Sequence, residues 1–285
     1  MRYIISEDIL VLLSLWAQKN DYVIPHSLIK LLRQRMYEEL KNIFGDIVEI
    51  ISEEKLRQGL QTICQQTDLP IVSLDRSYLQ HKWQININRV VDKELNDLCE
   101  KERFGYAPLS DQITTLKKAG LRQIALLDDV IFSGNGIISL TDQLEKAGIK
   151  VEQIIAGIVV GEGNDRIAKR RIPISAVCRY ESVIDEICER DFYPGVPFSG
   201  RTIDGLDANI GAPYLYPFGK PEEWASIPAD KAKSFSDFCL RQTIDLWRGI
   251  ETASKKPVRC SDIDRLPLGA PNGSEKFSDF LSSLL

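Results

Sequence analysis

Two adjacent carboxylates, Asp128 and Asp129, stand just ahead of the small-residue run Ser133-Gly134-Asn135-Gly136. Each half of this segment suits a different chemistry. Paired acids can hold the hydroxyls of a sugar diol, or the waters on a magnesium ion. Glycines 134 and 136 allow a close backbone approach and a positive φ. A helix beginning near Ile137 would aim its unpaired N–H groups back at the loop, which suits a phosphate. The acids would repel that phosphate and the amides would attract it. A ligand with a ribose diol, a bound Mg²⁺ and a 5′-phosphate fits both halves.

The elements that must position these groups are legible around them. Ile124-Ala125-Leu126-Leu127 is a fully apolar run and predicts a strand, with the loop running from Asp128 to Gly136. Ile137, Leu140, Leu144 and Ala147 share one helical face, and Gly148 marks its stop. Ile154 to Val160 is a second fully apolar run. Strand, helix and strand of this length predict a right-handed βαβ crossover with parallel strands buried on both faces. In such sheets ligands sit beyond the C-terminal strand edges, where the acid pair lies.

The run from Ile124 to Gly136 resembles the signature of type I phosphoribosyltransferases, and the βαβ context extends the likeness to about Gly161. The resemblance implies a type I phosphoribosyltransferase-like α/β fold: a parallel-dominated sheet flanked by helices. It makes Asp128 and Asp129 the catalytic pair, contacting the ribose 2′ and 3′ hydroxyls. Ser133, Gly134, Asn135 and Gly136 would cradle the 5′-phosphate, and Mg²⁺ would be held mainly through the ligand, near the acids. The implied reaction is Mg²⁺-dependent displacement of diphosphate from phosphoribosyl diphosphate by an acceptor such as a nucleobase. One departure stands out: the family usually has Thr where this chain has Gly136, so a hydroxyl contact to phosphate is missing.

The same resemblance points to further residues. The family holds the diphosphate with a short loop after an earlier strand, and Asp75-Arg76-Ser77, following Pro70 to Leu74, is the candidate. The family closes a flexible loop over the reacting centre, a part that Cys99 to Gln112, with Lys101 and Arg103, can take. Purine-type members stack an aromatic ring on the base late in the chain. Phe192 or Tyr193 can serve, with Asp191 accepting from a ring N–H and Arg201 binding an anion. Two other readings stay open. One is a non-catalytic protein that senses a nucleotide, which the loss of Thr at 136 favours. The other is a nucleotide- or NAD-directed effector, since the whole chain loosely resembles phosphoribosyltransferase-like proteins of bacterial anti-phage conflict systems.

Two rival phosphate motifs fit less well. A Walker A loop needs Gly-Lys-Ser/Thr after its glycines, and none follows here. A dinucleotide fingerprint is nearly matched by Gly134-Asn135-Gly136-Ile137-Ile138-Ser139, with Glu162 after the next strand as the ribose-binding acid. Asp128-Asp129 would then push negative charge at the diphosphate.

The rest of the chain bounds the setting. The net charge of −5 argues against a surface built to coat nucleic acid. No stretch approaches the roughly 20 apolar residues of a membrane helix, and the acidic start predicts a cytoplasmic protein. The expected partners are phosphoribosyl diphosphate or a nucleotide, together with a second copy of the chain or a partner protein. Six scattered cysteines and two histidines predict reduced, mostly buried thiols. The expected organisation is an N-terminal helical module (1–66), the α/β core (67–190), an aromatic lobe and helix (191–255) and a loosely held tail (256–285). Helical spacing recurs at Ile9, Leu12, Leu13 and Trp16, at Leu28, Leu31, Leu32 and Met36, and at Leu56, Leu60 and Ile63. Trp83 to Val90 alternates as a half-buried strand would. The stretch 192–228 holds six of the thirteen prolines and seven of the 23 aromatics, too aromatic for a disordered linker.

Overall fold

The computed structural model describes residues 1–206 and 208–285. The chain divides into two compact units, one made of Ile51–Arg89 and Cys99–Val183, the other of Met1–Ile50, Val90–Leu98 and Ile184–Leu285.

The first unit is an α/β layer built on a five-stranded, wholly parallel sheet. Its strands run in the order Trp83–Gln84, Ile71–Ser73, Gln123–Ile131, Lys150–Val160, Ile174–Tyr180. The central position of Gln123–Ile131 explains its composition: Ile124 to Leu127 are wholly excluded from water, as a parallel strand covered on both faces requires. This strand runs further than its apolar segment. Asp128 pairs with Ala156 and Ile131 with Val159, because the neighbouring strand is long enough to keep the ladder going. The acid pair therefore sits on the ladder, and the loop proper is only Phe132–Gly134.

The helix Asn135–Lys146 follows and buries Ile137, Leu140, Thr141 and Leu144. Gly148, at φ +86°, turns the chain into the next strand. The helix Glu53–Cys64 buries Leu56 and Leu60 while Ile63 is half-buried. Leu56 packs towards Gly157 of the Lys150–Val160 strand.

Two segments differ from their sequence reading. The alternating run Trp83 to Val90 is not one strand. Trp83–Gln84 pairs with Val72 and Ser73, whereas Ile87–Val91 joins another sheet. Asn86 marks the break: its N–H donates to the Gln112 side chain at 2.7 Å and its carbonyl accepts from the Arg103 N–H at 2.9 Å. The stretch expected as a loop, Cys99 to Gln112, begins as strand Asp97–Glu102, and its end belongs to helix Leu109–Lys118.

The second unit is a helical core faced by short strands. Arg2–Ser6 is central in a three-stranded sheet, and Arg201–Ile203 pairs with Ile210–Ala212 and with Val90 and Val91. Its helices Ile9–Asn20, His26–Phe44 and Ala229–Ser254 bury Trp16, Met36 and Trp247. The second of these turns Ile29, Leu32, Met36 and Leu40 inward, and leaves Leu31 exposed. Trp16 and Trp247 meet edge to face at 5.3 Å. The tail is not loose: helix Phe277–Ser282 inserts Phe277 edge-on against Trp247 at 5.5 Å, and Leu281 is fully buried. Among the described residues no helix is long and apolar enough to cross a membrane.

Candidate functional site

Three carboxylates gather at the C-terminal edge of the parallel sheet. Leu74 N–H donates to the Leu127 carbonyl at 2.8 Å, so Asp75 emerges beside Asp128 and Asp129. Asp128 accepts from the Asp129 N–H at 3.0 Å, and Asp129 accepts from the Val130 N–H at 2.9 Å. Burial, followed by the charge of Asp129, holds the Asp128 carboxyl well above the usual carboxylate range. Asp75 is pushed up to about 6, again by burial first and by Asp129 second. This edge is a place where a proton, a hydroxyl donor or a cation relieves repulsion. Among the described residues no three Asp, Glu, His or Cys side chains are arranged to hold a metal ion.

The loop next to the acids is shaped by glycine against glycine. Gly134 caps the helix with φ +74° and ψ 0°, a conformation that disfavours any side chain. Its backbone lies against Gly163, at the start of helix Gly161–Ala168. Ser133 Oγ accepts from the Asn135 N–H at a long 3.4 Å. The N–H groups of Gly136 and Ile137 find no acceptor among the described residues. They are the open first-turn donors that an anion needs.

A cation stands at this loop that the sequence reading did not single out. Arg166 donates to Asn135 Oδ1 and forms an ion pair with Glu162 at 2.7 Å. The signal for it was a Glu and an Arg four residues apart, directly after the second apolar strand. Glu162, considered above as a ribose-binding acid, is instead the partner of this arginine.

The structure treats the remaining candidates unequally. Asp75 is buried and turns its carboxylate onto its own loop, accepting from the N–H groups of Ser77 at 2.6 Å, Tyr78 at 3.1 Å and Leu79 at 3.0 Å. Arg76 is half-buried, donates to Gln84 Oε1 and lies 5.7 Å from the Tyr106 ring centroid. Its other terminal nitrogen is buried and has no partner among the described residues. Lys101 and Arg103 are half-buried on the strand Asp97–Glu102 and just after it.

Phe192, Tyr193, Asp191 and Arg201 belong to the other unit. Phe192 and Tyr193 are wholly excluded from water, and Phe192 packs edge-on against Phe235 at 5.0 Å. Neither ring has a free face for a base. Asp191 accepts from the Gly200 N–H at 2.7 Å. Arg201 is ion-paired with Asp97 and its guanidinium lies 4.3 Å from the centroid of the Trp224 ring. These four residues hold an irregular lobe together.

This geometry can be set beside known proteins. The hypoxanthine/guanine phosphoribosyltransferase of Methanotorris igneus is 24% identical over 143 residues, covering 50% of this chain and 70% of that protein. Among solved structures, Leishmania donovani UMP synthase aligns with a TM-score of 0.29 at 12% identity, over 45% of this chain but only 27% of that one. The Mycobacterium tuberculosis H37Rv orotate phosphoribosyltransferase in complex with inorganic phosphate aligns with a TM-score of 0.26 at 9% identity, over 44% of this chain and 68% of that one. No protein-family profile matches the chain. The sequence similarity is thus to a phosphoribosyltransferase, and the fold is α/β with a parallel sheet.

Proposed function

We propose that the chain binds a phosphoribosyl compound, either phosphoribosyl diphosphate or a nucleotide, at residues 128–137, and acts as a phosphoribosyltransferase towards an acceptor such as a nucleobase. The observation that carries this reading is the pairing of two unlike half-sites. Asp128 and Asp129 end the central strand at the sheet edge, where they would hold a diol, and the unpartnered amides of Gly136 and Ile137 beyond Gly134 would donate to a phosphate. Two side-chain carboxylates cannot cage a metal alone. They fit a Mg²⁺ carried by the diphosphate, whose waters they can accept. Bound in that way, the metal would supply positive charge to the departing diphosphate. The nearby carboxylates would stabilise positive charge developing on the sugar.

The test is release of diphosphate from phosphoribosyl diphosphate with Mg²⁺ and a panel of nucleobases. Turnover by the wild type that is lost in Asp128→Asn with Asp129→Asn supports the transferase. A second reading, a nucleotide-sensing regulator, is favoured by Asp75. Its carboxylate occupies the amides of Ser77, Tyr78 and Leu79, donors that a diphosphate would otherwise use. Nucleotide binding without diphosphate release is the outcome that selects it.

A further inference from the structure

We propose that Glu100 occludes the phosphate loop, a resident anion that any phosphorylated ligand must displace. This rests on the reading of residues 133–137 as a phosphate site. Glu100 lies on the strand Asp97–Glu102, and its carboxylate is laid over Gly136, so that a Cβ built on Gly136 would overlap both carboxylate oxygens and the carboxyl carbon. A side chain at 136 and the observed Glu100 position are therefore mutually exclusive.

That exclusion gives a physical reason for the Gly136 departure from the family pattern. Where a threonine would complete the phosphate cradle, this chain removes the side chain and brings in a carboxylate from another strand. The charge at this point changes from a neutral hydroxyl to a negative group. Glu100 makes no hydrogen bond or ion pair among the described residues, and partial burial raises its carboxyl above the usual range against the opposing charge of Arg89. The strand brings its backbone to the loop, while the carboxylate at the end of the exposed side chain has no bond to fix it there. A carboxylate in that position competes with a phosphate for the open amides of Gly136 and Ile137, in volume and in charge. A ligand reaches the amides only when Glu100 swings aside.

The test is calorimetric titration of phosphoribosyl diphosphate with Mg²⁺ into wild type, Glu100→Gln and Glu102→Gln. Glu102→Gln removes the same charge from the same strand without touching Gly136. Expected is affinity at least tenfold tighter for Glu100→Gln, with Glu102→Gln within about twofold of wild type, where tenfold corresponds to about 1.4 kcal/mol. Equal or weaker binding by Glu100→Gln, or an equal gain in Glu102→Gln, overturns the proposal and leaves the phosphate-site reading standing. No binding by any of the three proteins overturns both.

Discussion

The backbone of Gly163 fills the space that a side chain on Gly134 would need. A Cβ on Gly134 would stand 3.2 Å from the Gly163 Cα, and one on Gly163 would stand 2.6 Å from the Phe132 carbonyl oxygen. The loop after the central strand is thus clamped between a left-handed cap and the start of the next helix. Gly134→Ala combines a close contact with a positive φ, and its expected cost is about 1–3 kcal/mol in urea unfolding. Gly163→Ala should do comparable damage through the carbonyl clash alone. Both variants should lose phosphate-ligand binding even where they remain folded, because the amides of Gly136 and Ile137 move with the cap.

The burial of Asp75, and after it the charge of Asp129, gives stability a definite pH dependence. With its folded-state value raised to about 6, Asp75 binds more protons in the folded than in the unfolded chain between pH 4 and pH 6. Its contribution to stability is therefore greatest at low pH and is lost as pH rises to about 6. Asp129→Asn removes the neighbouring charge. It should raise the unfolding free energy at pH 7.5 by on the order of 1 kcal/mol and flatten this part of the profile. The check is urea denaturation of both proteins from pH 4 to pH 8, and a gain confined to the acid end would contradict the account.

Arg166 should matter modestly. Its bonds to Asn135 and Glu162 lie at an open surface, where such pairs are worth about 0.2–1 kcal/mol. Arg166→Gln is expected to weaken phosphoribosyl-ligand binding by no more than about fivefold. The loss should shrink as salt is raised, measured by titration at 50 and 500 mM NaCl. A loss of a hundredfold would place Arg166 on the phosphate itself.

The tail is integral to its unit. Phe277 is fully buried against Trp247, and Phe277→Ala should cost about 3–5 kcal/mol. A chain ending at Lys255 should lose cooperative unfolding by circular dichroism. A truncated chain with an unchanged midpoint would contradict the packing.

What the sequence displayed, and what it hid, follows from where the determining contacts lie. The central strand and the second strand were legible as unbroken apolar runs, and the helix between them by apolar residues recurring at 3.6. The acid pair and glycine loop were legible for the same reason: all their parts are local. The continuation of the strand through Asp128 and Asp129 was hidden, because it depends on the length of the partner strand. The break at Asn86 depends on Gln112 and Arg103, and the burial of Phe277 on Trp247, none of them neighbours in sequence. Phe192 and Tyr193 show the converse error. An aromatic pair beside an acid suggested a base platform, while the same composition serves a lobe that must fill its interior without regular structure.

The central claim is tested most directly by hydrogen exchange of the amides of residues 126–138, with and without phosphoribosyl diphosphate and Mg²⁺. The account predicts strong ligand-induced protection of the Gly136 and Ile137 amides, abolished in Asp128→Asn with Asp129→Asn. Ligand binding that leaves these amides exchanging freely, or protection that survives loss of both acids, would contradict it.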